Sequence, residues 1–121
     1  MKFTNLLFAI VGLIFVFGCT NAQNAPKDLK SQLKAHPGKV VDVRTLSEWN
    51  GGHLSQAIHA DWNNGDFEKL SKQWNKDEYI YLYCASGGRS GSATEYLKGL
   101  GFKNVTNLGG YSGIKHLDEK K

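Results

Sequence analysis

Short apolar runs along this chain alternate with stretches whose apolar positions recur every three or four residues. Runs of the first kind indicate buried β-strands, and stretches of the second kind indicate amphipathic helices. The predicted strands lie at 40–43, 57–60, 79–83 and 105–108. Since strands and helices alternate, we expect an α/β fold, with a small parallel sheet of four to five strands and helices on both faces.

The helices between these strands carry boundary signals. The first follows Pro26, and the last is a short helix at residues 112–117. Thr45, with Glu48 three residues later, matches the S/T-x-x-E capping box that starts a helix. Between the third and fourth strands, Ser90 is expected to cap a helix that Gly101 ends in a left-handed turn.

The helix between the second and third strands has a clear apolar spacing. We expect Asp66 to cap it at its N-terminus. Phe67, Leu70 and Trp74 are spaced three and four apart, which predicts that all three lie on the buried face of this helix.

The N-terminal segment differs from the rest of the chain. The apolar stretch from Leu6 to Phe17 is shorter than the roughly 20 residues of a membrane span and is typical of a signal-peptide core. Gly18 before Cys19 resembles a lipoprotein signal. That resemblance implies cleavage before Cys19, its lipidation, and anchoring in the bacterial cell envelope, at the outer membrane or periplasmic face. Cleavage after Ala22, giving a soluble periplasmic protein, and an uncleaved anchor remain open.

The chain length and charge limit the remaining possibilities. The predicted organisation is a signal peptide at 1–18, a polar tether at 19–26 and a single domain at 27–121. A formal net charge of +4 is too small to indicate nucleic-acid binding. We expect a monomer.

A candidate site lies between the third strand and the following helix. It consists of Cys84, Ala85, Ser86, Gly87, Gly88 and Arg89. A cysteine at the N-terminus of a helix and beside a cation loses its proton more easily than a free thiol, so Cys84 is a candidate thiolate nucleophile. The alternative is a small buried apolar residue before a glycine-rich turn. If Cys19 carries lipid, Cys84 has no partner for a disulfide, which favours a reactive role.

The rest of this loop is suited to an anion. Gly87 and Gly88 can turn backbone N–H groups inward, and the helix dipole adds partial positive charge at the same point. Arg89 offers a planar guanidinium that fits a sulfonate or phosphate. The segment therefore indicates a nucleophile held in an anion-binding cradle.

Several ordered motifs together resemble the rhodanese-like domain family of sulfurtransferases. The motifs are Val41-Asp42-Val43-Arg44, Glu48-Trp49, Gly52-His53-Leu54, Tyr83-Cys84 through Arg89-Ser90, Gly101 to Val105, and Leu108-Gly109-Gly110-Tyr111. They span residues 27–117. The family pattern is not complete, because Gln56 stands where glycine is usual and Ile114 where tryptophan is common.

The resemblance implies a role for each residue of the site. Cys84 would carry a persulfide, and the backbone N–H groups from Ala85 to Ser90 would cradle sulfur or an oxyanion. Arg89 would hold the anionic end of the substrate. Three further residues, Asp42, Arg44 and Glu48, are implied to be structural, with Arg44 pairing with Glu48.

The implied activity transfers a sulfane sulfur from thiosulfate or a similar donor to a thiol or cyanide. This covalent chemistry needs no cofactor and no dedicated histidine base. No metal site is expected, because the spacing of the histidines is not typical of metal ligands. The histidines are His36, His53, His59 and His116.

Two alternatives remain open. Cysteine phosphatases and some arsenate reductases have five residues between cysteine and arginine, whereas this loop has four and places Ser90 at that position. A non-enzymatic binding module is the other alternative. It could present tryptophans to a partner, although we expect these residues in the core or at its edge; they are Trp49, Trp62 and Trp74.

Overall fold

The computed structural model describes residues 29–120 as an α/β domain. The predicted signal segment, Cys19 and the tether lie outside the described residues. The strands are β1 (Gly38–Asp42), β2 (Ala57–His59), β3 (Tyr79–Cys84) and β4 (Asn104–Gly110). The helices are α1 (Leu29–Ala35), α2 (Leu46–Asn50), α3 (Asp66–Ser71), α4 (Gly88–Gly99) and α5 (Tyr111–Ile114), followed by a 3-10 turn at Lys115–Leu117.

The four strands form one parallel sheet in the order β2-β1-β3-β4. This agrees with the predicted sheet, and the strand bounds differ from the predicted ones by one or two residues. In register, Asp42 lies beside Tyr83, and Cys84 lies beside Gly110. The carboxyl ends of β1, β3 and β4 therefore meet at one edge of the sheet, which is where open α/β sheets place their ligands.

Alternation along β3 divides the core between the two faces of the sheet. Ile80, Leu82 and Cys84 face α3 and α4, whereas Tyr81 and Tyr83 face α1 and α5. All five residues are at most 2% exposed. Helices thus cover both faces, and Cys84 belongs to the face that α4 covers.

Helix α3 corrects two expectations. Gly65, with φ of 88°, is the N-cap, so Asp66 is the first helical residue and not the cap. Phe67 is fully buried, but Leu70 is 38% exposed and does not belong to the core. The helix ends at Ser71, and Trp74 reaches the core from the turn that follows. The buried residues of α3 are Phe67 and Ser71, so Leu70 lies to one side of the buried face, and the predicted spacing to Trp74 crosses the end of the helix.

The C-terminus of α4 confirms the expected glycine stop. Gly101 has φ of 94°, in the left-handed region. The N–H of Gly101 donates to Lys98 O, and that of Phe102 donates to Leu97 O, which is the bonding pattern of a Schellman motif. Phe102 is buried, so this motif also directs the chain back toward the core before β4.

Candidate active site

The geometry of β3 and α4 places the thiol. Cys84 is the last residue of β3, is buried and is a free cysteine. After Ala85 and Ser86, Gly87 takes φ of 95° and becomes the N-cap of α4. The chain reverses within three residues, so the sulfur lies against the N-terminus of a 12-residue helix.

Hydrogen-bond donors from the start of α4 lie close to the sulfur. The backbone N–H of Gly87 donates to Cys84 Sγ at 3.0 Å, and the Ser90 hydroxyl lies 3.4 Å from the same atom. Both donors come from the turn into α4, where the partial positive charge of the helix dipole adds to their effect. The arrangement stabilises a thiolate or another anion centred on sulfur.

Ser90 is not the helix cap that the sequence predicted, because the cap position is at Gly87. Its side chain is buried, and its hydroxyl lies 2.7 Å from Asn107 Oδ1 as well as 3.4 Å from the sulfur. A hydroxyl has one proton to donate. Ser90 therefore links the thiol to β4, and its proton has two acceptors within reach.

Asn107 is the residue of this site that the sequence analysis missed. Its Oδ1 accepts from Ser90 and from the N–H of Gly109 at 2.9 Å, and its Nδ2 donates to Gly87 O at 3.2 Å. Asparagine is disfavoured in strands. An asparagine inside a predicted strand and just before Gly109-Gly110 was the available signal, since such side chains often bond to the backbone two residues on.

The pKa of the Cys84 thiol reflects opposing effects. Burial raises this pKa. The Ser90 hydroxyl and the backbone N–H groups of Ser90, Ser86 and Gly87 together lower it by more than burial raises it, so the net shift is downward. The lowered pKa agrees with the sequence-based hypothesis of a thiolate nucleophile. The effect comes from neutral hydrogen-bond donors around the sulfur.

Glycines allow the loop to pack closely against β4. A side chain at Gly110 would bring its Cβ within 2.5 Å of Ala85 O, and one at Gly87 would lie 3.3 Å from Gly109 Cα. Two backbone segments therefore pass with no space for a Cβ. The Gly109-Gly110 segment of β4 packs directly against the backbone of the cradle.

Arg89, which is expected to hold the anionic end of the substrate, is paired with a carboxylate. Its guanidinium forms two bonds to Glu48, Nη1 to Oε1 at 2.7 Å and Nη2 to Oε2 at 2.9 Å. This fork-to-carboxylate geometry is the strong bidentate form of the pair. The hydrogen bond from Arg89 lowers the pKa of Glu48 to about 2, and the Thr45 backbone and hydroxyl contribute to the same shift.

Helix α2 fixes Glu48 for this contact. The predicted capping box is confirmed, because Thr45 Oγ1 accepts from the Glu48 N–H and the Glu48 carboxylate accepts from the Thr45 N–H. The same carboxylate oxygen, Oε1, also accepts from the Thr45 hydroxyl at 3.0 Å. One side chain therefore caps α2 and holds the first turn of α4.

The expected pairing of Arg44 with Glu48 is wrong. Arg44 bonds instead to Asp42, with Nη2 to Oδ2 at 2.7 Å and Nε to both oxygens at 3.0 Å. A further bond from Nη2 reaches Gly52 O at 2.7 Å, and the Tyr111 ring lies 4.3 Å from the guanidinium carbon. The pair is almost fully buried, and its contacts are those of a structural element that joins β1 to its neighbours.

The aromatic residues and histidines lie outside the cradle. Trp49 stacks on His53, with ring centroids 3.4 Å apart, and on His59 at 5.0 Å. Trp62 and Trp74 pack at the edge of the core, as expected. Within residues 29–120, no group of three or more histidine, cysteine, aspartate or glutamate side chains is arranged to hold a metal ion. In the same range, no helix has the length and apolar character to cross a membrane.

Comparison with known proteins identifies the family. The family model named Rhodanese-like domain matches residues 25–117. The chain is 36% identical over 85 residues to thiosulfate sulfurtransferase 16, chloroplastic, of Arabidopsis thaliana, a match that covers 61% of this chain and 71% of the plant protein. It is 29% identical over 114 residues to a tRNA uridine(34) hydroxylase of Neorickettsia sennetsu, covering 80% of this chain but only 41% of that protein.

The solved structures agree with the sequence matches. A rhodanese-like domain protein from Staphylococcus aureus superposes with a TM-score of 0.58 at 31% identity, covering 68% of this chain and 78% of that one. The chain belongs to the rhodanese-like domain family. Its parallel sheet with helices on both faces is the fold of that family.

Proposed function

We propose that this protein is a sulfurtransferase that moves a sulfane sulfur from thiosulfate or a similar donor to a thiol or cyanide. A persulfide on Cys84 would carry the sulfur between the two half-reactions. The observation that supports this most is the sulfur of Cys84 beside the N-terminus of α4, with the Gly87 N–H at 3.0 Å. Relatives named thiosulfate sulfurtransferase support it as well.

The first half-reaction begins with attack of the Cys84 thiolate on the outer sulfur of thiosulfate. A bond forms between Sγ and that sulfur, the S–S bond of the donor breaks, and sulfite leaves with the electron pair. The persulfide anion that remains lies among the same N–H donors, which stabilise charge on either sulfur. Because no proton moves, the step needs no general base.

The second half-reaction returns the enzyme to its starting state. Cyanide attacks the outer sulfur of the Cys84 persulfide, thiocyanate forms, and the electron pair of the broken S–S bond returns to Sγ as the thiolate. A thiol acceptor would take the same sulfur as a hydropersulfide. This is a two-step covalent mechanism with one nucleophile.

The direct test measures sulfur on Cys84. The Cys19→Ser chain leaves Cys84 as the only cysteine, so its intact mass after incubation with thiosulfate reports on this residue alone. We expect the mass of one added sulfur and thiocyanate on addition of cyanide. Both should be absent when Cys84→Ser is added to the same background.

Two results would contradict the proposal. A folded chain that gains no sulfur from any sulfane donor, although its thiol can be alkylated, would favour a binding module. Turnover of an aryl phosphate that disappears with Cys84→Ser would instead favour phosphatase chemistry.

We also propose that Cys19 is lipidated and holds the domain at the cell envelope, since the sequence before it resembles a lipoprotein signal. Growth of an expressing bacterium with labelled palmitate should label the wild-type chain and not the Cys19→Ser variant. An unlabelled wild-type chain that is recovered soluble from the periplasm would overturn lipidation and favour cleavage after Ala22.

A further inference from the structure

The guanidinium of Arg89, in the first turn of α4, is already bonded to a carboxylate. Both terminal nitrogens of Arg89 bond to Glu48, at 2.7 and 2.9 Å. Glu48 is held in turn by the backbone N–H and hydroxyl of Thr45. The side chains of Arg89 and Glu48 are 25% and 32% exposed, so the pair is partly exposed, and Arg89 belongs to the first turn of the helix whose N-terminus lies against the thiol.

The charges around Arg89 do not leave a positive site. Glu48 is its bonded partner, and the charges of Cys84 and Asp61 also act on it. Asp61 is only 6% exposed, which limits its screening by water. Once Cys84 ionises, the charges that act on this single guanidinium are therefore those of two carboxylates and one thiolate. The other arginine of the described part of the chain, Arg44, is held by Asp42.

We propose that Glu48 determines the charge selectivity of this site. By holding Arg89, Glu48 disfavours a dianionic donor such as thiosulfate and favours a donor that carries at most one negative charge, such as a hydropersulfide. This proposal rests on the sulfurtransferase function proposed above. Glu48 acts through Arg89 and is a positioning residue.

The chemistry with a hydropersulfide balances without a further reactant. The Cys84 thiolate attacks the outer sulfur of R–S–S–H, the S–S bond of the donor breaks, and RS⁻ leaves with the electron pair. The products are the Cys84 persulfide and a thiolate, which takes the persulfide proton or one from water. The approach brings less negative charge toward Glu48 and Asp61 than thiosulfate does.

The first test measures the effect of charge near the thiol and does not depend on sulfur transfer. In the Cys19→Ser background, Cys84 is alkylated with iodoacetate, an anion, and with neutral iodoacetamide, and the ratio of the two rate constants is measured. The reagents are similar in size, so the ratio is insensitive to how readily they reach the buried sulfur. Glu48→Gln frees Arg89 and should raise the iodoacetate-to-iodoacetamide ratio about tenfold.

Controls separate charge from structure. Gln can replace Glu in a capping box, so α2 keeps its cap in Glu48→Gln. Glu95→Gln removes the same charge from an exposed position on α4 and should leave the ratio unchanged. In an Arg89→Gln background, adding Glu48→Gln should change the ratio much less than it does with Arg89 present. An unchanged ratio in Glu48→Gln would overturn the proposal.

The second test compares two donors. With thiosulfate, Glu48→Gln should raise kcat/KM about tenfold through a lower KM. With the hydropersulfide of N-acetylcysteine amide, it should change kcat/KM by less than about twofold. Equal changes for both donors would indicate a merely structural role and overturn the proposal. Failure of every donor in the wild type, with the alkylation ratio shifted as expected, would overturn the sulfurtransferase function and leave the effect of Glu48 on charge supported.

Discussion

Two arginine–carboxylate pairs lie near the carboxyl edge of the sheet, and they differ in burial and in what they hold. Arg44 and Asp42 are 6% and 0% exposed and lie just after and at the end of β1, and Arg44 also donates to Gly52 O. Arg89 and Glu48 are 25% and 32% exposed and join α4 to α2. The same chemical groups at the same distance of 2.7 Å therefore serve different purposes.

Burial is the physical reason for the difference. A charge removed from water must keep its partner, because an isolated buried charge is strongly unfavourable. A partly exposed pair exchanges its partner for water at little cost. Breaking the inner pair should therefore cost much stability, whereas the outer pair can alter the charge near the thiol without much effect on stability.

The largest expected effect comes from breaking the inner pair. Asp42→Asn leaves the Arg44 guanidinium buried without a counter-charge and should lower the free energy of unfolding by about 3–5 kcal/mol. Urea unfolding followed by circular dichroism measures this. Asp77→Asn is the matched control, because the Asp77–Lys103 pair is 74% exposed on both sides and should contribute nothing measurable. A change in Asp42→Asn no larger than in the control would contradict the assigned role of Asp42.

The next largest effect is expected at the thiol of Cys84, whose charge acts on Arg89 of the outer pair. Ser90→Ala removes a hydrogen bond that lowers the pKa of Cys84, and should therefore raise that pKa, because a hydrogen bond to the charged form favours that form. The pH dependence of iodoacetamide alkylation measures it in the Cys19→Ser background. Thr94→Ser, a conservative change one turn further along α4, serves as the control. An unchanged pKa in Ser90→Ala would assign the thiolate to the backbone donors alone.

A smaller effect is expected when the outer pair is broken. Glu48→Gln should cost about 1 kcal/mol or less in the free energy of unfolding at pH 7, because the pair is partly exposed. The measurement is the same urea titration used for Asp42→Asn, with Glu95→Gln as the control for loss of one charge. A loss as large as that of Asp42→Asn would contradict the comparison between the pairs.

The smallest effect is the acid dependence of the outer pair. The pKa of Glu48 falls from its ordinary 4.5 to about 2 in the folded state, so the unfolded state binds this proton first. The stabilisation by Glu48 is therefore fully present above pH 4.5 and is lost as the pH falls toward 2. The difference in unfolding free energy between wild type and Glu48→Gln should shrink over that interval. A difference that grew on acidification would reverse the sign of the linkage.

The sequence predicted the parts of this molecule that depend on local patterns. The buried strand Tyr79 to Tyr83, the capping box at Thr45 and the left-handed stop at Gly101 each follow from propensities of a few adjacent residues. Leu70 was misplaced because α3 buries Phe67 and Ser71, and the side of a short helix that faces the core is set by how the helix packs.

Within the site, the same division holds. The thiol of Cys84 and the glycines after it were predicted, because a strand, a glycine turn and a helix are adjacent in the chain. Asn107 was not predicted, since its partners Ser90 and Gly87 are 17 and 20 residues away. No local pattern determines a contact across such a separation.

The sequence by itself determined the order of strands and helices, the position of Cys84 at a strand end and, through its motifs, the family. The tertiary structure decided which charges meet. Arg44 lies four residues before Glu48 yet bonds to Asp42, and Arg89 reaches Glu48 across 41 positions. The physical reason is that partner choice among charged groups depends on distance and burial in three dimensions, which are set only when α2 and α4 pack at the edge of the sheet.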